Sequence, residues 1–287
     1  MLLLAAAARG AIVNVSTTWL NCAHDRKSLP RRLDGWRYLA NTWPDRMHHG
    51  AMFRLQPAQL DEYRSAFRED GYLLLRRVVP MAPLEQLCQR LCAEFARAKN
   101  AGELFSGGGM ISGHLNCFPG AGSRFVLDAL VEAGVLDLVR ALSPQAERLP
   151  NVGCNFNLPS SSAQNHHVDG YASQPFMIAN VAAVTTSVSN GAMQLSAGSH
   201  KRDYKYWEFE MARLHALQLE LIPRDVLLRP STLWHRGMPN RTRTPRPMLG
   251  FSWEEGGSPL GDPYSVHEGQ IKFLPNRSGQ SLSGQLR

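Results

Sequence analysis

The sequence predicts a mainly β domain, a sandwich or barrel, with helices gathered on its N-terminal side. Beyond residue 150 the chain breaks into short apolar runs, each bounded by Gly, Pro, Asn or Ser: Phe176 to Val184, Ala192 to Leu195, Val226 to Leu228 and Met248 to Trp253. Before residue 143 the apolar residues recur at helical spacing instead. The 287 residues are 44% hydrophobic and 19% charged, which suits a globule large enough to be stable without staples. Its cysteines (Cys22, Cys88, Cys92, Cys117 and Cys154) are scattered and form no C-x-x-C pair. That excludes a disulfide scaffold and a zinc ribbon, and fits a reducing compartment.

The helical part reads in order. Pro57 opens a helix whose stripe is Leu60, Tyr63 and Phe67, and Gly71 ends it. Tyr72 to Val79 is apolar and reads as a strand. Residues 83–99 form a second amphipathic helix, with Cys88 and Cys92 on the same stripe as Leu84, Leu87, Leu91 and Phe95. That position makes them packing residues rather than redox partners. Gly107 to Gly109 lacks the Lys-Ser/Thr ending of a phosphate cradle and reads as a turn or hinge, with Met110, His114 and Asn116 in a loop or lid beyond it. A third helix is expected over Arg124 to Leu142, and another, inserted between strands, over Asp203 to His215. The chain thus divides into an irregular extension over 1–56 packing on the core, a domain over 57–255, and a tail from 256 to 287, rich in Gly, Ser and Pro, that wraps loosely over it.

The net charge of +7 leans toward an anionic small substrate. The Lys and Arg residues are spread along the chain rather than grouped with aromatics, so no nucleic acid is expected. Met1 to Ala8 is apolar but too short for a membrane span, and it lacks the basic start of a signal peptide. A cytoplasmic protein without a membrane partner is the expectation.

The ten histidines are where chemistry is to be sought. His167-Val168-Asp169 is an H-x-[DE] triplet, but ten His among 24 acidic residues in this length produce about one such triplet by chance. On a strand, however, positions i and i+2 share a face, so His167 and Asp169 can grip one metal from a rigid edge. Two His and one carboxylate leave three positions open on non-haem Fe(II). The missing ligand is a downstream His, with His200, His215, His235 and His267 as candidates. His235 follows the strand Val226 to Leu228, and Arg246 heads the next strand, where a guanidinium can hold a carboxylate through two bonds.

This ordered set resembles the phytanoyl-CoA dioxygenase-like family of Fe(II)/2-oxoglutarate oxygenases. The likeness spans roughly residues 58–253. Phe67-Arg68-Glu69-Asp70-Gly71-Tyr72-Leu73 is similar to the family's opening passage, His167-Val168-Asp169 to its iron triplet, and Asn190 to His200 to its Asn-Gly…Gly-Ser-His segment. Asp225 to Leu228, His235, Pro239-Asn240-Arg241-Thr242 and Pro245-Arg246 resemble its strand, distal His, turn and Arg. The resemblance implies a double-stranded β-helix (jelly-roll, cupin-like) core with flanking helices. It implies iron on His167, Asp169 and His235, and 2-oxoglutarate on Arg246, with Asn155 or Asn157 as further contacts. The implied reaction consumes O₂, releases succinate and CO₂, and oxidises, usually hydroxylates, a small molecule. With Asp169 present, halogenation is not expected.

The sequence departs from the family at Asn180, where Trp is common, and at Ala183-Val184-Thr185, where Leu-Asp-Asp is common. Both point to a different substrate, and a role in specialised biosynthesis is the preferred reading. His166 is expected to face away from the metal, His200 to be structural, and Trp234 and Trp253 to pack. Two rival readings are a jelly-roll binding protein without catalysis and a basic adaptor using Arg236 to Arg246 as an anion patch.

Overall fold

The computed structural model describes residues 52–104, 112–143, 148–254 and 261–274. Two antiparallel sheets face one another. The larger has seven strands in the order β1-β7-β4-β9-β3-β2-β10, and the smaller three in the order β6-β5-β8. In chain order the strands are β1 (Leu73–Leu75), β2 (His114–Phe118), β3 (Asn151–Asn157), β4 (Met177–Ala182) and β5 (Gln194–Ser196). Then follow β6 (Ala216–Gln218), β7 (Val226–Pro230), β8 (His235–Arg236), β9 (Arg246–Trp253) and β10 (Lys272–Leu274). From β4 to β9 the chain passes from the large sheet to the small one and back twice, the winding of a jelly roll. The mainly β class and the four apolar runs expected as strands are thus realised, each within two residues of its expected start.

Helices α1 (Leu60–Asp70), α2 (Met81–Asn100), α3 (Arg124–Glu132) and α4 (Val135–Leu142) cover the outer face of the large sheet, and α5 (Tyr206–Ala212) lies between β5 and β6 in the chain. The main core forms where they meet the sheet. Leu84, Leu87 and Leu91 of α2 are fully buried, and Phe95 stacks on Phe156 of β3 at 5.7 Å. A second cluster fills the space between the sheets: Ala182, Leu227 and Met248 from the large one against Leu195, Leu219, Leu221 and Leu233. Side chains on a strand alternate in direction, so the inner face of the large sheet supplies both this cluster and the pocket residues.

Three expectations are corrected. The single helix over Arg124 to Leu142 is two, because Gly134 adopts φ 78° and turns the chain between them. His114 and Asn116 lie in no lid: they belong to β2, paired with β3, and His114 is buried. The tail does not only wrap loosely, since Lys272–Leu274 pairs with β2 as an edge strand. Of the N-terminal extension, Phe53 is buried in the main core. Residues 1–51, the glycine run 107–109 with Met110, and the tail residues 255–260 and 275–287 lie outside the described residues. Among those described, no helix is long and apolar enough to cross a membrane.

One buried ion pair ties the two sides of the sheet edge together. Asp225, fully buried before β7, accepts from Arg76 Nη1 at 2.6 Å, Arg77 N at 3.1 Å and Ile222 N at 3.0 Å. Removing one partner of a buried pair strands the other. We therefore expect Asp225→Ala to lower unfolding stability by about 3–5 kcal/mol in urea titrations. A loss below about 1 kcal/mol would show that the network contributes no more than a surface pair.

Candidate metal and co-substrate site

His167 and His235 exchange backbone hydrogen bonds, His167 N to His235 O at 2.9 Å and the reverse at 3.0 Å. This one-residue antiparallel bridge adds His167 beside β8 of the small sheet. It brings the two rings to 4.4 Å between centroids. Asp169 is fixed by its own amide, which donates to Ser231 O at 2.8 Å. One ligand atom from each of His167, Asp169 and His235 then lies within 4.8 Å of the others.

The tautomers follow from the backbone. His167 Nδ1 lies 2.9 Å from Asn165 O, and His235 Nδ1 2.9 Å from Leu233 O. A carbonyl only accepts, so each Nδ1 carries the hydrogen and each Nε2 presents a lone pair. Those Nε2 atoms face the Asp169 carboxylate, at 3.8 Å from Oδ1 and 3.5 Å from Oδ2. Burial pushes His235 well below the usual histidine value, and the Arg229 charge adds to this. Burial alone would raise Asp169, but the positive charge of Arg229 and its hydrogen bond outweigh this and hold the carboxyl well below its usual range. Neutral imidazoles and an ionised carboxylate are the donor states a divalent metal needs.

Arg246 opens β9 in a cross-strand row with Asn157 of β3 and His114 of β2. It is 4% exposed, and its Nε and Nη1 find no partner among the described residues. Burial lowers its pKa to about 10, so it remains a cation at neutral pH. A buried guanidinium with orphaned donors is a socket for a carboxylate. Room for a ligand comes from Gly153 and Gly250, which face each other across β3 and β9: a Cβ at either would meet nothing nearer than 3.8 Å. Asn155 lies on the same inner face, its amide donating to Asn116 Oδ1 at 3.2 Å. Asn157 is committed elsewhere. It donates to Met238 O at 2.8 Å and accepts from Ser161 Oγ, pinning the loops on either side of the site.

The remaining sequence candidates fall outside the cluster. His166 faces away, paired with Glu210 at 2.7 Å and packed on Phe209 of α5. His200 lies over Gly71, whose missing Cβ makes room for its ring, and contacts Phe67. Trp234 stacks on Phe209 at 4.2 Å, and Trp253 is buried in the main core. The supposed anion patch is not assembled, because Arg246 is inside the barrel and Arg236 bonds to Gln194 Oε1.

The residue that sequence reasoning passed over is Arg229 of β7. It is 3% exposed, and its Nη2 donates to Asp169 Oδ2 at 2.6 Å while its Nε donates to Asn180 Oδ1 at 3.1 Å. The available signal was an arginine ending a run of buried aliphatics, six residues before His235.

Three histidines, two of them buried and His200 half-buried, make stability depend on pH in one direction. His114, His200 and His235 are all lowered, in each case by burial first. The unfolded chain takes up protons at the ordinary value of about 6.5, before the folded chain does, so stability falls as pH drops below it. The depressed Asp169 carboxyl adds a loss only below about 3.9. Metal-free protein should therefore melt at progressively lower temperature between about pH 7 and about pH 5. A melting temperature that stays level across that range would contradict neutral, buried imidazoles.

Comparison with known proteins agrees with this fold. Among solved structures, the chain is similar to the epimerase SnoN in complex with Fe³⁺, alpha-ketoglutarate and nogalamycin RO. The TM-score is 0.55 and the identity 18%, over 70% of this chain and 85% of that one. It is similar to HygX from Streptomyces hygroscopicus with nickel, 2-oxoglutarate and hygromycin B bound, at TM-score 0.52 and 17% identity over 71% and 88%. EctD from S. alaskensis with bound Fe matches at TM-score 0.51 and 17% identity over 74% and 81%. At these identities the likeness is one of fold, and it agrees with the jelly-roll winding described above. The phytanoyl-CoA dioxygenase (PhyH) family model matches residues 67–248, well over half of the sequence and all of the residues gathered at the site, and the chain belongs to that family.

Proposed function

We propose that the protein is an Fe(II)/2-oxoglutarate-dependent dioxygenase that hydroxylates or otherwise oxidises a small molecule in a biosynthetic pathway. The observation that carries this reading is one arrangement. Two Nε2 lone pairs and a carboxylate converge within 4.8 Å, and a buried arginine with orphaned donors lies on the inner face of the large sheet. In the proposal His167, Asp169 and His235 hold the iron, and Arg246 holds the far carboxylate of 2-oxoglutarate, with Asn155 a further contact. Bound there, iron and 2-oxoglutarate supply the oxidising power from O₂, with release of succinate and CO₂.

The protein's share is binding, orientation and charge. The backbone bridge between His167 and His235 fixes both rings, so metal binding costs little reorganisation. The donated Nδ1 hydrogens keep the correct tautomers. Arg229 occupies Asp169 Oδ2 and leaves Oδ1 without a hydrogen-bond partner among the described residues, which favours a single carboxylate oxygen on the metal. Burial of Arg246 strengthens its attraction for a dianion and makes it selective for one. SnoN, solved with alpha-ketoglutarate and nogalamycin RO, and HygX, solved with 2-oxoglutarate and hygromycin B, support a small-molecule substrate.

Anaerobic titration of the full chain with Fe(II) and 2-oxoglutarate should produce a visible metal-to-ligand charge-transfer band. His235→Ala or Asp169→Ala should abolish it. Arg246→Met should instead preserve metal binding and weaken 2-oxoglutarate roughly 10–100-fold, the worth of charge-assisted hydrogen bonds. Folded wild-type protein that gives no band with ample iron would favour the jelly-roll binding protein instead.

A further inference from the structure

We propose that Arg229 forms a second carboxylate subsite, on the Asp169 side of the triad and separate from Arg246. The inference rests on the iron and 2-oxoglutarate reading given above and names a charged group that the site recognises.

The Arg229 side chain is only 4% exposed. Its Nε is spent on Asn180 and one Nη2 hydrogen on Asp169. The second Nη2 hydrogen and both Nη1 hydrogens remain, and Nη1 is buried with no partner among the described residues. An unpaired buried donor is unfavourable, more so when charged, so a guanidinium held this way favours any ligand that satisfies it. The wholly unpaired Nη1, with the remaining Nη2 hydrogen on the adjacent nitrogen, offers donors of the kind that bind a carboxylate.

The charge balance points the same way. Asp169 neutralises one of the two buried arginines, and a dianionic co-substrate together with a divalent metal leaves one positive charge uncompensated. A monoanionic group beside Arg229 removes it. Space is present where it is needed, because Gly250 lies next to Asn180 in the sheet register and leaves the inner face open beside the residue that orients the guanidinium.

The carboxylate has two chemical sources: the substrate, or the 2-oxoglutarate carboxylate nearer the metal. Titrations of the full chain separate them, with Mn(II) followed by electron paramagnetic resonance and with 2-oxoglutarate, acetate and neutral acetamide followed by calorimetry. Arg229→Lys keeps a cation beside Asp169 but removes the free edge, and Arg229→Gln removes the charge as well. We expect Mn(II) affinity to stay within about threefold in the lysine variant while carboxylate affinity falls about tenfold or more. A fall confined to 2-oxoglutarate assigns the subsite to the co-substrate. A fall confined to acetate on the Mn(II)·2-oxoglutarate protein, with acetamide inert throughout, assigns it to the substrate.

Unchanged affinity for both carboxylates in both variants overturns the proposal, and Arg229 then only braces Asp169. Loss of Mn(II) binding in both variants overturns it equally. Wild-type protein that binds neither Mn(II) nor 2-oxoglutarate is a failure of the oxygenase reading instead. The acetate titration, run without metal, still decides the subsite in that case.

Discussion

The site depends on the pair of backbone hydrogen bonds that joins His167 to His235. These two residues are 68 positions apart and belong to segments that enter the small sheet from opposite directions. A single antiparallel bridge sets the ring separation, and the carbonyls two residues upstream set the tautomers. Everything else at the triad follows from main-chain geometry, including the placement of Asp169 through its amide on Ser231. A candidate metal cluster built on backbone pairing moves only if the sheet moves. This gives the jelly roll its use as a scaffold, because its two sheets converge at the seam where β7 turns into β8.

Around that seam the fold tolerates an unusual interior. Two arginines, two histidines and two asparagines are buried here among Leu and Val. Their burial is affordable only where charges are matched. Asp169 faces Arg229, and Asp225, at the far end of β7, faces Arg76. Arg246 has no counter-charge among its hydrogen-bond partners in the described residues, which is why the proposed reading gives it a ligand's carboxylate. The contrast between Arg246, open to a ligand, and Asn157, whose amide is fully engaged by Met238 and Ser161, separates binding groups from braces on one strand row.

Much of this was legible in the sequence. His167, Asp169 and His235 come together as the motif order suggested, but His167 and Asp169 lie on an isolated bridge and the bend after it rather than on the expected strand, and backbone bonds to His235 and Ser231 give them the common direction. The first helix and its glycine stop were legible: Gly71 lies at φ 77° under His200, a place where a Cβ has no room. The break at Gly134 was not, because the apolar period runs on through Ala133 and Gly134 and conceals a left-handed turn. Nor was β2, whose His114 and Asn116 read as polar loop residues until their partners across β3 are known. Periodicity reports a solvated face and a buried one; it fails where a strand buries polar side chains on purpose.

Arg229 shows that limit most clearly. In sequence it is one arginine among many in a basic chain, and arginine is ordinarily a surface residue. Only its place at the end of an aliphatic run separates it locally from Arg241 and Arg243, which are exposed. What sets it apart is its register. It lies opposite Ile178 on β4, on the inner face of the large sheet, and β7 ends there, so the side chain has nowhere to go but toward Asp169. Asn180, two residues along β4 on the same face, supplies the acceptor that orients it. A departure at position 180 that looked in sequence like a lost aromatic is, in the folded chain, half of a polar pair. Substituting either residue alone would leave the other buried without its partner, so the two positions carry a single specification of the pocket.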